Sequence, residues 1–435
     1  MADLLALSAR FVDEGVYEGP GSVNRVTGEL SELADGIALV ESFSHVVALR
    51  SDAGLLLFDA SLEALAPRVL RSLRGWCTEP IHTLAYTHGH VDHVGGADAF
   101  LQEARERGRP APRVVAHENV PARFDRYRLT EGYNFAINAR QFGRGGRGRG
   151  GMESMGGADG RFGPQRWVRP ELTFRDRLQL QVGELDVQLR HELGETDDHL
   201  WAWIPEHRAV CAGDFVLWVF PNAGNPQKVQ RYPLEWSRAL RAMQALEPEL
   251  LLPAHGLPVG GAKRIHALLG DTARALEILV EQTLRMMNEG ARLDEILHSV
   301  RVPEELLERP YLRPVYDEPE FVIHNVWRLY GGWYDGNPAR LKPAPEAALA
   351  AELAGLCAGA ARLVARAEAL AASGELRLAC QLVELATQAA PDDREAHAAR
   401  ARIYEQRRQA ELSLMARGIY GDAARRSAER AGIEL

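Results

Sequence analysis

Short apolar runs alternate with helical stretches from the start of the chain to about residue 265. Residues 46–49 and 55–58 are apolar runs on either side of residues 52–54, Asp-Ala-Gly, an arrangement that predicts a β-hairpin. The stretch 81–86, Ile-His-Thr-Leu-Ala-Tyr, predicts a buried strand that leads into a histidine-rich loop. Further strands are predicted at 113–116, 178–189 (a hairpin about Gly183), 201–204, 209–212 and 250–253. Many strands with interleaved helices favour sheets covered by helices.

The pattern changes from about residue 267 onward. Long stretches rich in Ala, Leu, Glu and Arg recur there at helical spacing, as in 276–280 and 347–371, and they predict an all-helical region. A chain of 435 residues is also too long for one ordinary domain. We therefore expect an α+β domain over residues 1–265 and a helical domain over residues 266–435.

A Gly/Arg-rich segment interrupts the first domain at residues 143–166. Its low complexity predicts a flexible insertion loop, because such a composition cannot bury a core. Two other interpretations are an arginine-bearing lid over an anionic substrate and an RNA-binding tract. The net charge of -9 favours the lid, and it gives no general reason to expect nucleic acid as a partner.

The cysteines and the hydropathy of the chain indicate the cellular compartment in which the protein is expected. The four cysteines are far apart and form no CxxC pair, which is typical of reduced residues in an intracellular protein. The chain has no run of 18 or more apolar residues and no readable secretory signal, so we expect no membrane span and a cytoplasmic location.

The loop after the strand predicted at 81–86 carries His88, His90, Asp92 and His93. A chain leaving a strand can turn alternate side chains, here His88 and His90, toward one point, while Asp92 and His93 face a second. Imidazole and carboxylate are ligands that Zn²⁺ prefers. Four such groups within six residues would be costly without a metal, since buried charges need partners. The loop therefore predicts a metal site.

One loop supplies too few ligands for two metals, and three later positions offer more. Glu195 lies between predicted strands, in a stretch that also holds Asp198 and His199, while Asp214 and His255 each follow an apolar run. A glycine is close to each of the three. Any one position alone is weak evidence, but together they predict that later loops complete the site.

The motif His88-Gly-His90-Val-Asp92-His93 resembles the HxHxDH motif of the metallo-β-lactamase superfamily, over roughly the first 265 residues. The resemblance implies an αββα sandwich with two Zn²⁺ ions, the first bound by His88 and His90 and the second by Asp92 and His93. It further implies that Asp214 bridges the metals, that His255 completes the second site, and that Asp59 orients ligands.

Two features resemble the alkyl sulfatase branch of that superfamily. The family usually has a histidine where this chain has Glu195, and a carboxylate there resembles the alkyl sulfatases; Asp198 or His199 are alternatives for this ligand, or neighbours that support it. The strings 316–321 and 327–338 resemble the signature of the alkyl sulfatase dimerisation domain. That resemblance implies a homodimer formed through the helical domain. We expect this chain to lack the sterol-carrier-like third domain of longer family members.

The resemblance implies a dinuclear zinc hydrolase in which hydroxide, generated from water at the metals, attacks an alkyl sulfate monoester. Asp92 and Asp214 are the expected catalytic carboxylates. Other substrates of the same scaffold, a lactone, a thioester or a phosphodiester, are the alternatives. Nucleic-acid binding through the Gly/Arg segment is an alternative of another class.

Sulfate oxygens need further donors, and we expect them between the metal loop and Glu195. Tyr133, Asn134, Asn138 and Arg140 are the candidates, because amide and guanidinium groups bind such oxygens. A polar, self-capping helix is the other interpretation of this stretch. It does not match the asparagine- and arginine-rich string of well-known alkyl sulfatases residue for residue.

Overall fold

The computed structural model describes residues 2–143 and 162–435. Most of the Gly/Arg segment therefore lies outside the described residues, and so do the lid and RNA interpretations. The described chain forms two compact units. The first contains residues 2–136, 162–291 and 295–332, and the second contains 137–143, 292–294 and 333–435. The domain boundary expected after residue 265 stays a prediction.

A seven-stranded sheet forms one half of the first unit, with its strands in sequential order. The first four strands are antiparallel, and the last four are parallel. The hairpin predicted at 52–54 is confirmed, since Ser51 lies opposite Gly54. The strands are β1 (Leu30–Ala34), β2 (Ile37–Val40), β3 (Val46–Ser51), β4 (Gly54–Phe58), β5 (Ile81–Ala85), β6 (Arg113–His117) and β7 (Leu172–Phe174).

A six-stranded sheet forms the other half, in the order β13-β12-β11-β10-β9-β8. Its pairs are antiparallel except for β11 and β12. The hairpin predicted about Gly183 is confirmed, with Val182 opposite Leu185 and Gly183 at φ 58°. The strands are β8 (Arg177–Val182), β9 (Leu185–His191), β10 (Leu200–Ile204), β11 (Ala209–Gly213), β12 (Leu250–Pro253) and β13 (Val259–Gly260).

Helices are interleaved with these strands, and longer ones follow them. Those that begin before residue 333 are α1 (Leu4–Glu14), α2 (Pro20–Val23), α3 (Ala66–Trp76), α4 (Val91–Val94), α5 (Ala97–Glu106), α6 (Val120–Leu129), α7 (Glu131–Phe142), α8 (Pro233–Gln244), α9 (Ala262–Asn288), α10 (Leu293–Ser299), α11 (Glu304–Leu307) and α12 (Pro319–Gly331). This arrangement of two sheets with helices, followed by a helical region, confirms the predicted fold class.

Continuous apolar runs form the central strands, and the polar loops that follow them carry the chemistry. Strand β4 is buried at every position, as are β10, β11 and β12, which is typical of strands covered on both faces. Asp59 follows β4, His88 lies in the loop after β5, Asp214 follows β11 and His255 follows β12. The strand ends therefore present these side chains from several loops.

Backbone hydrogen bonds join the two sheets at this end. The amide of Leu200 donates to the carbonyl oxygen of Thr87 over 2.7 Å, and the amide of His45 donates to that of Ala254 over 2.7 Å. These bonds hold the loop after β5 against the start of β10, and the start of β3 against the loop after β12. Side chains on different sheets can therefore meet.

The helical part of the second unit consists of α13 (Glu346–Leu356), α14 (Ala360–Ala372), α15 (Leu376–Ala389), α16 (Arg394–Ala410) and α17 (Leu414–Ala431). Small and branched residues such as Ala367, Val383 and Ile403 form its core. Within the described residues, no individual helix has both the length and the apolarity of a membrane span; α13 and α14, bent by 89° at the break between them, pass that test only when taken together.

Candidate metal centre

Side chains from four loops converge into two groups of potential metal ligands. The ligand atoms of the first group, from His88, His90, Glu195 and Asp214, lie within 4.8 Å of one another. The same holds for the second group, which contains Asp92, His93 and His255. The structure thus brings together all seven residues predicted as ligands, in the two sets that the resemblance implied; metal binding by them stays a prediction.

Asp214 lies between the two groups. Its Oδ2 is 4.0 Å from Nε2 of His88 and 3.5 Å from Nε2 of His93, and its Oδ1 is 3.7 Å from Nε2 of His255. The carboxylate can therefore reach both groups at once, as a bridging ligand must.

Several buried polar atoms of the cluster have no hydrogen-bond partner among the described residues. They are Nε2 of His93, Oε2 of Glu195 and Oδ1 of Asp214. Leaving buried acceptors unpaired is costly, and most such atoms in proteins have a partner. Nitrogen and oxygen donors in this arrangement fit divalent cations, which would take these free lone pairs.

Asp59 contacts His93, one of the candidate ligands, at the ring nitrogen that faces away from the cluster. Its Oδ1 accepts a hydrogen bond from the amide of Thr87 over 2.7 Å, and its Oδ2 lies 2.7 Å from Nδ1 of His93. Asp59 itself has φ 62°, a strained conformation that the surrounding contacts hold in place. With Nδ1 of His93 directed at this carboxylate, Nε2 faces the centre, which is how histidine ligands are commonly fixed.

Burial sets the protonation of the first histidines. It lowers the pKa of His88 well below its ordinary value, and the neighbouring His93 and His90 add to the effect. Burial also lowers the pKa of His90, together with repulsion from Arg231 and Arg123. Neutral imidazole has a free lone pair, so both side chains are in the form that binds metal.

Asp198 and His199 support the ligands and lie outside both groups. Oδ2 of Asp198 accepts hydrogen bonds from Nε of Arg123 over 2.7 Å and from the amide of Gly89 over 3.1 Å. Nε2 of His199 accepts from the amide of Asp214 over 3.2 Å, and its ring stacks on Phe215. Asp198 thus holds the backbone between His88 and His90, and His199 holds that of Asp214.

Two residues that the sequence did not single out fix Glu195. Asn222 donates to Oε1 of Glu195 through Nδ2, and Nη2 of Arg231 lies 3.0 Å from the same oxygen. Arg231 is only 1% exposed and also donates to the backbone carbonyl of Glu195. Burial raises the pKa of Glu195, and the charge of Arg231 opposes that rise. These contacts engage Oε1, which is also 3.9 Å from Nδ1 of His90, and Oε2 has no hydrogen-bond partner among the described residues.

The four predicted sulfate-binding residues lie along α7. Tyr133 is exposed, while Asn134 donates from Nδ2 to the carbonyl oxygen of Thr130 over 3.0 Å. That contact within the helix is the kind the self-capping interpretation expects. Asn138 is buried and Arg140 is half-buried, both in the second unit. Sulfate binding by these side chains stays a prediction.

The fold and the candidate metal centre indicate a class of protein, and the comparison with known families gives the same class. The model of the metallo-beta-lactamase superfamily matches residues 39–255. A second family model, alkyl sulfatase dimerisation, matches residues 292–430. The chain therefore carries a metallo-beta-lactamase superfamily domain followed by an alkyl sulfatase dimerisation domain, and the predicted resemblance is confirmed.

Curated relatives of the chain are alkylsulfatases. It is 27% identical over 379 residues to a linear primary-alkylsulfatase of Pseudomonas sp., covering 84% of this chain and 71% of that protein. It is 26% identical over 386 residues to an (R)-specific secondary-alkylsulfatase of Pseudomonas sp., covering 83% and 57%. An alkyl/aryl-sulfatase of Saccharomyces cerevisiae is 24% identical over 392 residues, with 86% and 60% covered. The chain thus spans between 57% and 71% of these relatives' lengths.

Among solved structures, a stereoselective inverting sec-alkylsulfatase from Pseudomonas sp. matches with a TM-score of 0.79 and 23% identity. The match covers 94% of this chain and 66% of that one. It shows that the two proteins share a fold.

Proposed function

We propose that this protein is a metal-dependent hydrolase that cleaves alkyl sulfate monoesters. The observation that carries the proposal is the position of Asp214 between two groups of metal-ligating side chains at the strand ends. Similarity to alkylsulfatases supports the choice of substrate.

We propose two Zn²⁺ ions as the cofactors, one held by each group. Bound there, they would supply hydroxide from water near neutral pH and attract an anionic ester. His88 and His90 would hold the first ion through neutral imidazole nitrogens, while Asp92 and Asp214, the proposed catalytic carboxylates, would balance the charge of the pair. Sulfate is a weak base and leaves with little or no proton donation, so the residues need not include a strong general acid.

Positive side chains beside the cluster favour an anionic substrate. Arg231 contacts Glu195, and Lys228 is close enough to Glu195 and Asp92 to interact with both electrostatically. Burial, followed by repulsion from Arg231, lowers the pKa of Lys228 to about 7. Arg231, together with Lys228 when it is protonated, would offset part of the carboxylate charge that an incoming sulfate monoester meets.

Cleavage of a lactone, thioester or phosphodiester is the second candidate function. The same two groups could hold metals for any of these reactions, and the contact between Asn134 and Thr130 gives no specific support to sulfate binding. Nucleic-acid binding rests on a segment outside the described residues.

A substrate panel tests the proposal. Zinc-loaded protein should release inorganic sulfate from primary or secondary alkyl sulfates at least about 100-fold faster than an Asp214→Ala variant. Lactone, thioester and phosphodiester substrates should be cleaved more slowly than the best alkyl sulfate. Sulfate release no faster than that of the variant, for every alkyl sulfate tried, would contradict the proposal.

We also propose a homodimer formed through the helical region. The match to the dimerisation family supports it, and so do exposed apolar side chains in the second unit: Trp333 is 70% exposed, Leu349 55% and Leu356 84%. Exposed apolar patches of this kind often mark subunit interfaces. The cytoplasmic location stays a prediction.

A charge placed on this surface should weaken the dimer. We expect light scattering to give about twice the chain mass of 48.1 kDa for the unaltered protein. Leu356→Glu should shift the protein toward the monomer, because a buried unpaired carboxylate is costly. Leu129→Glu is the matched control, since Leu129 is 85% exposed in the first unit. A Leu356→Glu variant as dimeric as the control would contradict this interface.

A further inference from the structure

The segment between β11 and α8 supplies both side chains that hold Glu195. Asn222 lies near the middle of this segment and Arg231 near its end. Both are buried, and both contact Oε1 of Glu195. The segment has no regular secondary structure between them, so something outside it must fix the two side chains.

Asn325 of α12 binds the segment at two points. Its Nδ2 donates to the carbonyl oxygens of Ala223 and Arg231, over 3.0 Å and 2.9 Å. Its Oδ1 lies 3.3 Å from the amide of Arg231 and accepts from Nε2 of Gln230 over 3.0 Å. One buried amide, 3% exposed, therefore clamps the residue after Asn222 and Arg231 itself.

Asp317, just before α12, holds the middle of the segment. Its Oδ2 accepts hydrogen bonds from the amides of Gly224 and Asn225 over 2.5 Å and 3.2 Å. A Cβ atom at Gly224 would lie 2.5 Å from the backbone of Phe321. Only glycine lets the segment approach the start of α12 so closely.

Because of these contacts, part of the sequence that the dimerisation family model matches lies beside the metal cluster. The match covers residues 292–430, yet Asp317 and Asn325 belong to the first unit, together with the metal cluster. The string 316–321, which resembles a dimerisation signature, thus packs against the segment that holds Glu195.

We propose that Asn325 and Asp317 are positioning residues, which fix Asn222 and Arg231 against Glu195 so that its carboxylate is held beside the other ligands of the first metal group. The inference rests on the proposed metal function. Oε1 is engaged by an amide and a guanidinium, so Oε2 remains available for a cation. Arg231 also compensates the buried negative charge of Glu195. If the segment were displaced, that charge would be left unpaired. Residues behind a ligand tune metal affinity in this way.

Metal titration of the full-length protein tests the inference without any substrate. Metal-free protein is titrated with Zn²⁺ in competition with a chromophoric chelator. In Asn325→Ala, one of the two binding steps should weaken by about tenfold while the other stays unchanged. Asn337→Ala is the matched control, because Asn337 is an asparagine that makes only a local side-chain hydrogen bond among those the structure gives, accepted from the amide of Ala339. The control should bind zinc like the unaltered protein.

The Arg231→Lys variant distinguishes a positioning role from a merely structural one. Lysine keeps the charge but loses the paired contacts to Glu195, so the same binding step should weaken. Combining Arg231→Lys with Asn325→Ala should weaken it by less than the product of the single effects, because both changes release the same contact.

These titrations separate a failure of the positioning role from a failure of the proposed function. Two unchanged binding steps in Asn325→Ala, or fully independent effects in the double variant, would overturn the positioning role. An unaltered protein that binds no zinc would overturn the proposed function, and the inference with it. Should Asn325→Ala fail to fold, Asn325→Asp keeps the side-chain shape and loses both donated bonds, and the same titration applies.

Discussion

Replacing Asp214 with alanine should reduce ester hydrolysis by about 10³-fold, measured as kcat/KM on the best substrate of the panel. The carboxylate lies within 4.0 Å of nitrogen atoms of His88, His93 and His255. The side chain therefore contacts members of both groups. Its loss should therefore disturb both bound metals, and elemental analysis should find less than the unaltered amount.

A second aspartate provides the control for this variant. Asp186 lies on β9 and accepts a hydrogen bond from Gln179 at an exposed position. Asp186→Ala should keep both the rate and the metal content, since surface changes of this kind have small effects. An Asp214→Ala variant with the rate of Asp186→Ala would show that Asp214 does not serve the reaction.

Removing the metals should abolish activity and lower the Tm. Without cations, Nε2 of His93, Oε2 of Glu195 and Oδ1 of Asp214 are left buried and unpaired. A ligand present at 1,000 times its Kd stabilises the folded state by about 4 kcal/mol, and that contribution disappears in a chelator. Thermal unfolding followed by circular dichroism measures the shift.

Zinc addition is the control for metal removal. Both the activity and the Tm should recover when Zn²⁺ is returned, and magnesium should restore them less, because it prefers oxygen ligands in octahedral geometry. An identical Tm before and after complete metal removal would contradict a structural contribution from this centre.

Local pattern was enough to predict the strands and loops that carry the ligands. The run that became β4 is apolar and the run that became β5 is mostly buried, and His88, His90, Asp92 and His93 follow β5 within a few residues, so one stretch of sequence contains both signals. Strands β1, β2, β7 and β13 were missed. β1 and β7 are short and only partly buried, β13 has two residues, and β2 has only four, although all four are buried. Pairing with a neighbour defines such short strands.

Contacts across long sequence separations could not be predicted in the same way. Arg231 meets Glu195 across 36 positions, and Asn325 meets Arg231 across 94. No spacing rule links these residues, since the fold alone brings β11, α8 and α12 to one place. The strings 316–321 and 327–338, which lie on either side of Asn325, resemble a dimerisation signature, and that resemblance drew attention to subunit contacts and away from Glu195.

Anomalous diffraction from crystals of the zinc-loaded protein, recorded on either side of the zinc edge, measures the metal positions directly. We expect two peaks, one among His88, His90, Glu195 and Asp214, and the other among Asp92, His93, His255 and Asp214. A zinc-loaded crystal with no anomalous peak at either position, or with zinc bound only elsewhere, would contradict a two-metal centre.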